Sequence, residues 1–285
     1  MLRIVMDSAG DMPEDWKSEF DVEVIPINIH FGEKTYLQGV DLTNKQFYKM
    51  ADKTGIVPKT SQPTPGQFIE FYKKIADPGD TILSVHVTSK LSGTYSSAVM
   101  AAKELVGEYV VIPIDSRSGS ASQGYMCRDA RIMEREGFSI EKIVERLKTI
   151  SDEVFIILTL MNLEYARRSG RVKALQAALA SLLNIKPTVI LRDGILEIGE
   201  KVRTRKRSLD LLLKASLDRW GNRLLNVAVV HSEDPNAGEL LIQKVSANLN
   251  IKDLILTELS TGIAANLGPG TVGIITYPAE NYLSG

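Results

Sequence analysis

Cysteine is nearly missing from this 285-residue chain. The single Cys127 forbids any disulfide within the chain and any Cys-rich metal site. That usage fits a reducing compartment, and a cytoplasmic protein is expected. Net charge is also nearly missing: 34 Lys and Arg face 35 Asp and Glu, leaving −1. Bulk charge therefore points to neither nucleic acid nor an anionic membrane. No apolar run reaches the ~20 residues of a membrane span. Met1-Leu2-Arg3-Ile4-Val5-Met6-Asp7 meets a charge too early to form the apolar core of a signal peptide. Low-complexity segments and repeats are absent. So are a GxSxG elbow, a Walker A loop and an HExxH pair. Of the three histidines, His86 and His231 lie in or at the end of apolar strands. A buried, hydrogen-bonded imidazole is expected at both, rather than a base or a metal ligand. Hydrophobic residues make up 44% and charged residues 24%, so the chain can build an ordinary core as one large domain or two modest ones.

What is present is organised around Ile82 to Leu105. Ile82-Leu83-Ser84-Val85-His86-Val87 has the continuous apolar, β-branched character of a strand buried on both faces. Ala98, Val99, Ala101, Ala102 and Leu105 then recur at helical spacing. Between them lies Thr88-Ser89-Lys90-Leu91-Ser92-Gly93-Thr94-Tyr95, rich in hydroxyls and with a glycine at the helix entry. Such a loop offers backbone N–H groups and the positive end of a helix dipole to a carboxylate or phosphate. A plain helix cap at Ser92 is the alternative.

Two further strands end in the same way, at Asp7-Ser8-Ala9-Gly10-Asp11 and at Asp115-Ser116-Arg117-Ser118-Gly119-Ser120. In parallel sheets ligands bind beyond the carboxyl ends of strands, although Asp and Ser are equally good partners for the turn backbone. Lys59-Thr60-Ser61-Gln62-Pro63-Thr64-Pro65 is held rigid by its prolines and carries hydroxyls just before a helix. It reads as a second anion loop or as a turn with Thr64 as N-cap. Pro26 marks Val22–Ile29 as an edge or irregular strand. The alternation of strands and helices predicts an α/β fold with a mainly parallel sheet in the N-terminal part. The character changes near Ser151 to Asn162, predicting domains over 1–155 and 156–285. Val172 to Leu183 reads as a helix, and Asp193-Gly194 as a hairpin turn. Lys201-Val202-Arg203-Thr204-Arg205-Lys206-Arg207 holds five basic residues in seven, either a solvated helix face or a surface for an acidic partner. Anion loops without a nucleophile or metal cluster favour a binding protein over an enzyme.

These stretches together resemble the DegV family of bacterial fatty-acid-binding proteins, of the FakB type. The match runs in order through Asp7-Ser8-Ala9 with Asp11 and Pro13, Thr60-Ser61-Gln62-Pro63, Leu91-Ser92-Gly93-Thr94-Tyr95 and Asp115-Ser116. It continues through Ser169-Gly170-Arg171, Asn184-Ile185-Lys186-Pro187, Lys201 with Arg203-Thr204, and Gly268-Pro269-Gly270. The resemblance implies two α/β domains with one long-chain fatty acid, such as palmitate, buried between them. It implies that Thr60 and Ser92, with Ser61 and Gly93 nearby, hold the carboxylate. It also implies no cofactor beyond the bound acid, and a FakA-type fatty acid kinase as partner that makes the acyl phosphate. Where the family has a histidine two residues before Gly-Pro-Gly this chain has Asn266, which can donate a hydrogen bond to the carboxylate but cannot titrate. Arg203 matches a family arginine near the headgroup network, and Arg171 a basic position facing the kinase.

Two other readings stay open. One is a phosphotransferase-like enzyme using the same loops on a small phosphorylated substrate, with Asp7 and Asp115 as acid–base candidates. The other is a regulatory protein whose Lys201–Arg207 run meets nucleic acid, against which the near-zero net charge counts.

Overall fold

Pro26 divides what reads as one strand into two, and the pieces join different sheets. In a computed structural model, which describes residues 1–161, 163–172 and 185–279, the chain falls into two units. One is Met1–Asp152 with Ser260–Ala265; the other is Glu153–Leu259 with the chain from Asn266 onward. Ser260–Ala265 thus returns to the first unit, a step that a single division at 155/156 does not contain. The helix expected over Val172 to Leu183 and the motif residue Asn184 lie, apart from Val172, outside the described residues.

The first unit runs β1 (Leu2–Asp7), α1 (Trp16–Glu19), β2 (Val22–Ile25), β3 (Asn28–Phe31), β4 (Lys34–Leu37), α2 (Asn44–Thr54), β5 (Lys59–Ser61) and α3 (Pro65–Ile75). It continues with β6 (Thr81–His86), α4 (Thr94–Glu104), β7 (Val110–Asp115), α5 (Ala121–Arg135) and α6 (Ile140–Glu153). Strands β2-β1-β6-β7 form an all-parallel sheet. Helices α3 and α4 close one face, packing Phe68, Tyr72, Ala98 and Ala101 on Val5 and Ile82. Helix α5 packs on β1 and β6. Covering both faces is what makes these strands apolar throughout rather than alternating. Strands β4-β3-β5 form a separate antiparallel sheet. Its inward residues Ile29 and Phe31 pack with Phe47 of α2 and with Ala264 and Ala265 of the returning segment.

The second unit runs β8 (Phe155–Thr159), α7 (Leu163–Ser169), β9 (Lys186–Arg192), β10 (Ile195–Val202), α8 (Arg205–Trp220), β11 (Leu225–His231), α9 (Pro235–Asn248), β12 (Ile251–Glu258) and β13 (Val272–Pro278); α10 (Thr261–Leu267) begins in the first unit's returning segment, and its residues from Asn266 belong to the second. Its sheet order is β10-β9-β8-β13-β11-β12, antiparallel except for β11 with β12. Helices α8 and α9 pack Leu209, Leu212, Leu241 and Val245 on Ile157, Val227, Val229 and Ile274. The β9–β10 hairpin turns at Asp193 and Gly194, with φ of 47° and 76°. Two positive φ values in a row define the turn type that Asp-Gly serves best. The basic run is not one helix face. Lys201 and Val202 end β10, Thr204 caps α8 through the Arg207 N–H, and only Arg205 to Arg207 are helical.

Parallel strands β1 and β6 are tied at their start by Asp80. Its carboxylate accepts from the chain's amino group at 2.7 Å, from Arg3 Nε at 3.0 Å and from the Asp77 N–H at 3.2 Å. The amino group first, then Arg3, hold its pKa down from 3.8 to about 2. A depressed carboxylate stabilises the fold above its unfolded pKa, and that contribution fades as pH falls through the folded value. We therefore expect Asp80→Asn to lower stability at neutral pH and to flatten the stability profile between about pH 4 and about pH 2. Chemical denaturation at a series of pH values measures both effects.

Candidate hydroxyl-loop site

Strand β5 exists because Lys59-Thr60-Ser61 pairs with β3: Asn28 faces Ser61, Ile29 faces Thr60 and His30 faces Lys59. The prolines after it stop the strand. Thr64 then caps α3 in a full capping box with Gln67, and Pro65 takes the first helical position. The cap reading of Thr64 is therefore correct, and it leaves Thr60 and Ser61 on the strand just ahead. Ser61 Oγ is 2.8 Å from His30 Nε2, and His30 Nδ1 is 2.9 Å from Thr35 Oγ1. The Thr60 hydroxyl hydrogen-bonds to no described residue and is half-buried.

Helix α4 starts at Thr94, two residues earlier than its apolar spacing suggests, with Gly93 as N-cap. Ser92 is the residue before the cap. Its Oγ lies 2.8 Å from Thr94 Oγ1 and accepts the Thr94 N–H at 3.3 Å. The Ser92 N–H goes back to Thr88 O. The amides of Gly93, Tyr95 and Ser96 find no acceptor among the described residues. A Cβ at Gly93 would lie 2.8 Å from Gln62 Nε2, so the Gln62 side chain rests on the open face of this glycine. That contact brings the Thr60–Pro63 and Leu91–Thr94 loops side by side. Thr60, Ser61, Ser92 and Gly93 are all half-buried, reachable yet sheltered.

The other two hydroxyl loops are built inward. Asp7, wholly buried, accepts the Ala9 N–H at 2.9 Å on Oδ1 and the Val87 N–H at 2.8 Å on Oδ2. Ser8 Oγ accepts the Ile27 N–H, and Asp115 Oδ1 accepts the N–H groups of Ser89 and Arg117. Asp11 accepts from Ser120 Oγ and from the Ser260 N–H, which fastens the returning segment. These aspartates serve turns, as the plainer reading of each allowed.

Behind Asp7 a chain of polar groups crosses the core. Tyr72 donates to Ser84 Oγ at 2.8 Å, Ser84 Oγ meets His86 Nε2 at 2.8 Å, and His86 Nδ1 meets Asp7 Oδ2 at 3.2 Å. An ionised Asp7 is only an acceptor, so the proton belongs on Nδ1 and Ser84 donates to Nε2. Tyr72, Ser84, His86 and Asp7 all have 0% exposure. Burial first, and Asp7 also, push the Tyr72 phenol up despite the Ser84 hydrogen bond, so it stays protonated. The order Tyr–Ser–His–Asp invites comparison with a nucleophile relay. With the Ser84 hydroxyl committed and no exposed atom, it cannot meet a substrate. His86 is thus the buried, bonded imidazole its strand position suggested.

His231 departs from that expectation. It is half-buried and its Nδ1 has no hydrogen-bond partner. Burial pushes its pKa down, while Glu258 and Asp234 pull it up. Of the remaining candidates, Asn266 is a half-buried residue of α10 in the second unit. Arg203 is exposed at the bend before α8, and Arg171 turns back to donate to Ser169 O at 2.7 Å. Gly268, Gly270 and Gly273 show a GxGxxG spacing, but they lead into β13 instead of opening a helix, so the dinucleotide-binding context is missing. Sequence reasoning overlooked His30 and Gln62 as neighbours of the site. The alternation Ile29-in, His30-out along β3 was the available signal for His30; nothing local announces Gln62.

An all-parallel sheet with hydroxyl loops at its carboxyl ends, joined to a mixed-sheet unit, defines a two-domain α/β fold. The profile of one family, described as uncharacterised protein, DegV family, matches residues 1–279, and the chain belongs to the DegV family. A DegV domain-containing protein of Listeria innocua is 30% identical over 281 residues, 96% of this chain and 97% of its own. Protein DegV of Bacillus subtilis is 29% identical over 276 residues, 96% and 98% of the two chains. Among solved structures, a Thermus thermophilus DegV family protein described for fatty acid binding superposes with a TM-score of 0.88. It is 30% identical and covers 97% of this chain and 99% of its own. Bacillus subtilis DegV, described as a fatty acid binding protein, has a TM-score of 0.83 at 26% identity, with 97% and 99% coverage.

Ser84 is the link of the polar chain that both Tyr72 and His86 depend on. Ser84→Ala strands both the Tyr72 hydroxyl and His86 Nε2, at ~1–3 kcal/mol for buried groups left unpaired. Tyr72→Phe removes one donor and leaves the Ser84–His86 bond, at ~0.5–1.5 kcal/mol. Urea denaturation of both variants should rank Ser84→Ala as the more destabilised.

Proposed function

We propose that this chain is a carrier of long-chain fatty acids. The carboxylate is held by Thr60, Ser61, Ser92 and Gly93, and the acyl chain is buried in apolar protein. The observation that carries this reading is the placing of Gln62 on Gly93. It sets an uncommitted threonine hydroxyl and three unaccepted backbone amides on adjoining loops. An anion with two acceptor oxygens satisfies such donors, and fatty acid is what solved DegV relatives are described as binding.

The division of labour follows from magnitudes. A buried methylene contributes ~0.8 kcal/mol, so about fourteen give on the order of 10 kcal/mol before ordering costs. Charge-assisted hydrogen bonds at the loops add ~1–3 kcal/mol each. Tail burial sets affinity and the loops set which end lies where. A FakA-type kinase that phosphorylates the bound acid completes the proposal, with Arg203 and Arg171 as contacts. The phosphotransferase alternative loses its main support because Asp7 is wholly buried and both its oxygens are taken by backbone amides.

Ser92→Ala tests the reading. We expect a roughly 10- to 100-fold weaker affinity for palmitate, the equivalent of ~1–3 kcal/mol, with an unchanged circular dichroism spectrum. Native mass spectrometry followed by denaturing extraction should recover a fatty acid from the parent chain and less from the variant. Equal palmitate affinity in both proteins would remove Ser92 from the site. A chain that is empty and takes up no added fatty acid would end the carrier reading altogether.

A further inference from the structure

The first unit holds two histidines in hydrogen-bonded chains, and the protein places the proton of only one. At His86 the acceptor-only carboxylate of Asp7 puts it on Nδ1. At His30 both neighbours are hydroxyls: Nδ1 lies 2.9 Å from Thr35 Oγ1, and Nε2 lies 2.8 Å from Ser61 Oγ. Thr35 belongs to β4, His30 to β3 and Ser61 to β5, so one ring spans all three strands of the antiparallel sheet. β5 has only 3 residues, and the ring ties its last one to the central strand.

A hydroxyl can donate its proton or accept on its lone pairs, so it suits an N–H and a bare ring nitrogen equally. Neither the Thr35 nor the Ser61 hydroxyl bonds to any other described residue. Two arrangements therefore satisfy the same distances. With the proton on Nδ1, His30 donates to Thr35, and Ser61 gives its own proton to Nε2. With the proton on Nε2, His30 donates to Ser61, Thr35 donates to Nδ1, and the Ser61 proton is left for another acceptor. No described residue chooses between them, so the next group to bond Ser61 makes the choice.

We infer that His30 is a positioning residue for the ligand carboxylate: its ring tautomer decides whether Ser61 can donate to the acid, and the bound acid fixes the ring proton on Nε2. The inference rests on the carrier reading, in which Ser61 is one of the carboxylate donors. An ionised carboxylate only accepts. Ser61 must donate to it and so cannot donate to His30. The ring then supplies the proton of the His30–Ser61 bond, and Thr35 turns its hydroxyl to Nδ1. Thr35, His30, Ser61 and the carboxylate form a chain that runs donor to acceptor in one direction, an order in which each bond polarises the next. The coupling is mutual: the acid favours the Nε2–H form, and that form favours the acid to the same degree.

The test is ring-nitrogen NMR of His30 in the full chain, with and without palmitate, while native mass spectrometry follows uptake. The palmitate complex should show a protonated Nε2. In Ser61→Ala, which still has Thr60, Ser92 and Gly93 for the acid, palmitate should leave the His30 tautomer as it is in the free variant. His30→Phe should weaken palmitate binding about three- to tenfold in the parent chain, the range of one hydrogen bond. It should weaken binding no further in the Ser61→Ala background. Should His30→Phe misfold, the tautomer comparison decides alone. A bare Nε2 in the palmitate complex, or an equal loss from His30→Phe in both backgrounds, would overturn the inference and leave the carrier reading standing. A chain that takes up no palmitate would remove both.

Discussion

The buried carboxylate of Asp7 is the constraint on which the first unit depends. A carboxylate taken out of water costs several kcal/mol unless its oxygens are met by well-placed donors. Here the donors are the Ala9 and Val87 amides and His86 Nδ1. Each of them fixes something else. Ala9 sets the turn that lets Ser8 reach Ile27 and so starts the antiparallel sheet. Val87 sets the end of β6, from which the Leu91–Thr94 loop departs. His86 ties through Ser84 to Tyr72 on α3, the helix that follows the Thr60–Pro63 loop. One desolvated charge thereby determines where both half-buried hydroxyl loops emerge.

That arrangement explains why four loops of similar composition behave differently. The Asp7–Asp11 and Asp115–Ser120 loops carry aspartates, whose acceptors turn inward to satisfy local amides. The Thr60–Pro63 and Leu91–Thr94 loops carry none, and there the Thr60 hydroxyl and the Gly93 N–H find no acceptor among the described residues. In the proposed carrier, a ligand carboxylate supplies what the aspartate supplies elsewhere in the same unit. The proposed carboxylate loops are the turns that carry no aspartate of their own.

Much of this was legible in the sequence, for reasons that can be stated residue by residue. The doubly buried runs Ile82–Val87 and Leu2–Met6 betray a parallel sheet because covering both faces removes the alternation. Pro65 and Thr64 mark the start of α3, and Asp193-Gly194 marks a hairpin, since few residues tolerate those backbone conformations. The three-stranded antiparallel sheet was not legible. β5 has three residues, too few for a period, and its pairing with β3 is a long-range event. The failure at Lys201–Arg207 has a similar cause. Charge spacing alone does not show that a strand ends at Val202 and a helix is capped at Thr204. The inward turn of Arg205 is invisible for the same reason, because only Asp234, 29 residues away, makes it worthwhile.

Two histidines at similar strand ends then show how far local pattern can mislead about chemistry. His86 and His231 both close apolar strands, yet one is held by bonds on both ring nitrogens and the other has a bare buried Nδ1. The difference lies in what each sheet places opposite. β6 has the Asp7 end of β1 on one side and Ser84 two residues earlier on its own face, so His86 is enclosed by partners in both directions. β11 has Glu258 of β12 and Val272 of β13 beside His231, and the helix that follows presents Gly238 to the ring. A glycine leaves room but offers no acceptor. Strand-end histidines therefore end with both ring nitrogens bonded, or with one unpartnered, according to what their cross-strand neighbours and the following helix offer.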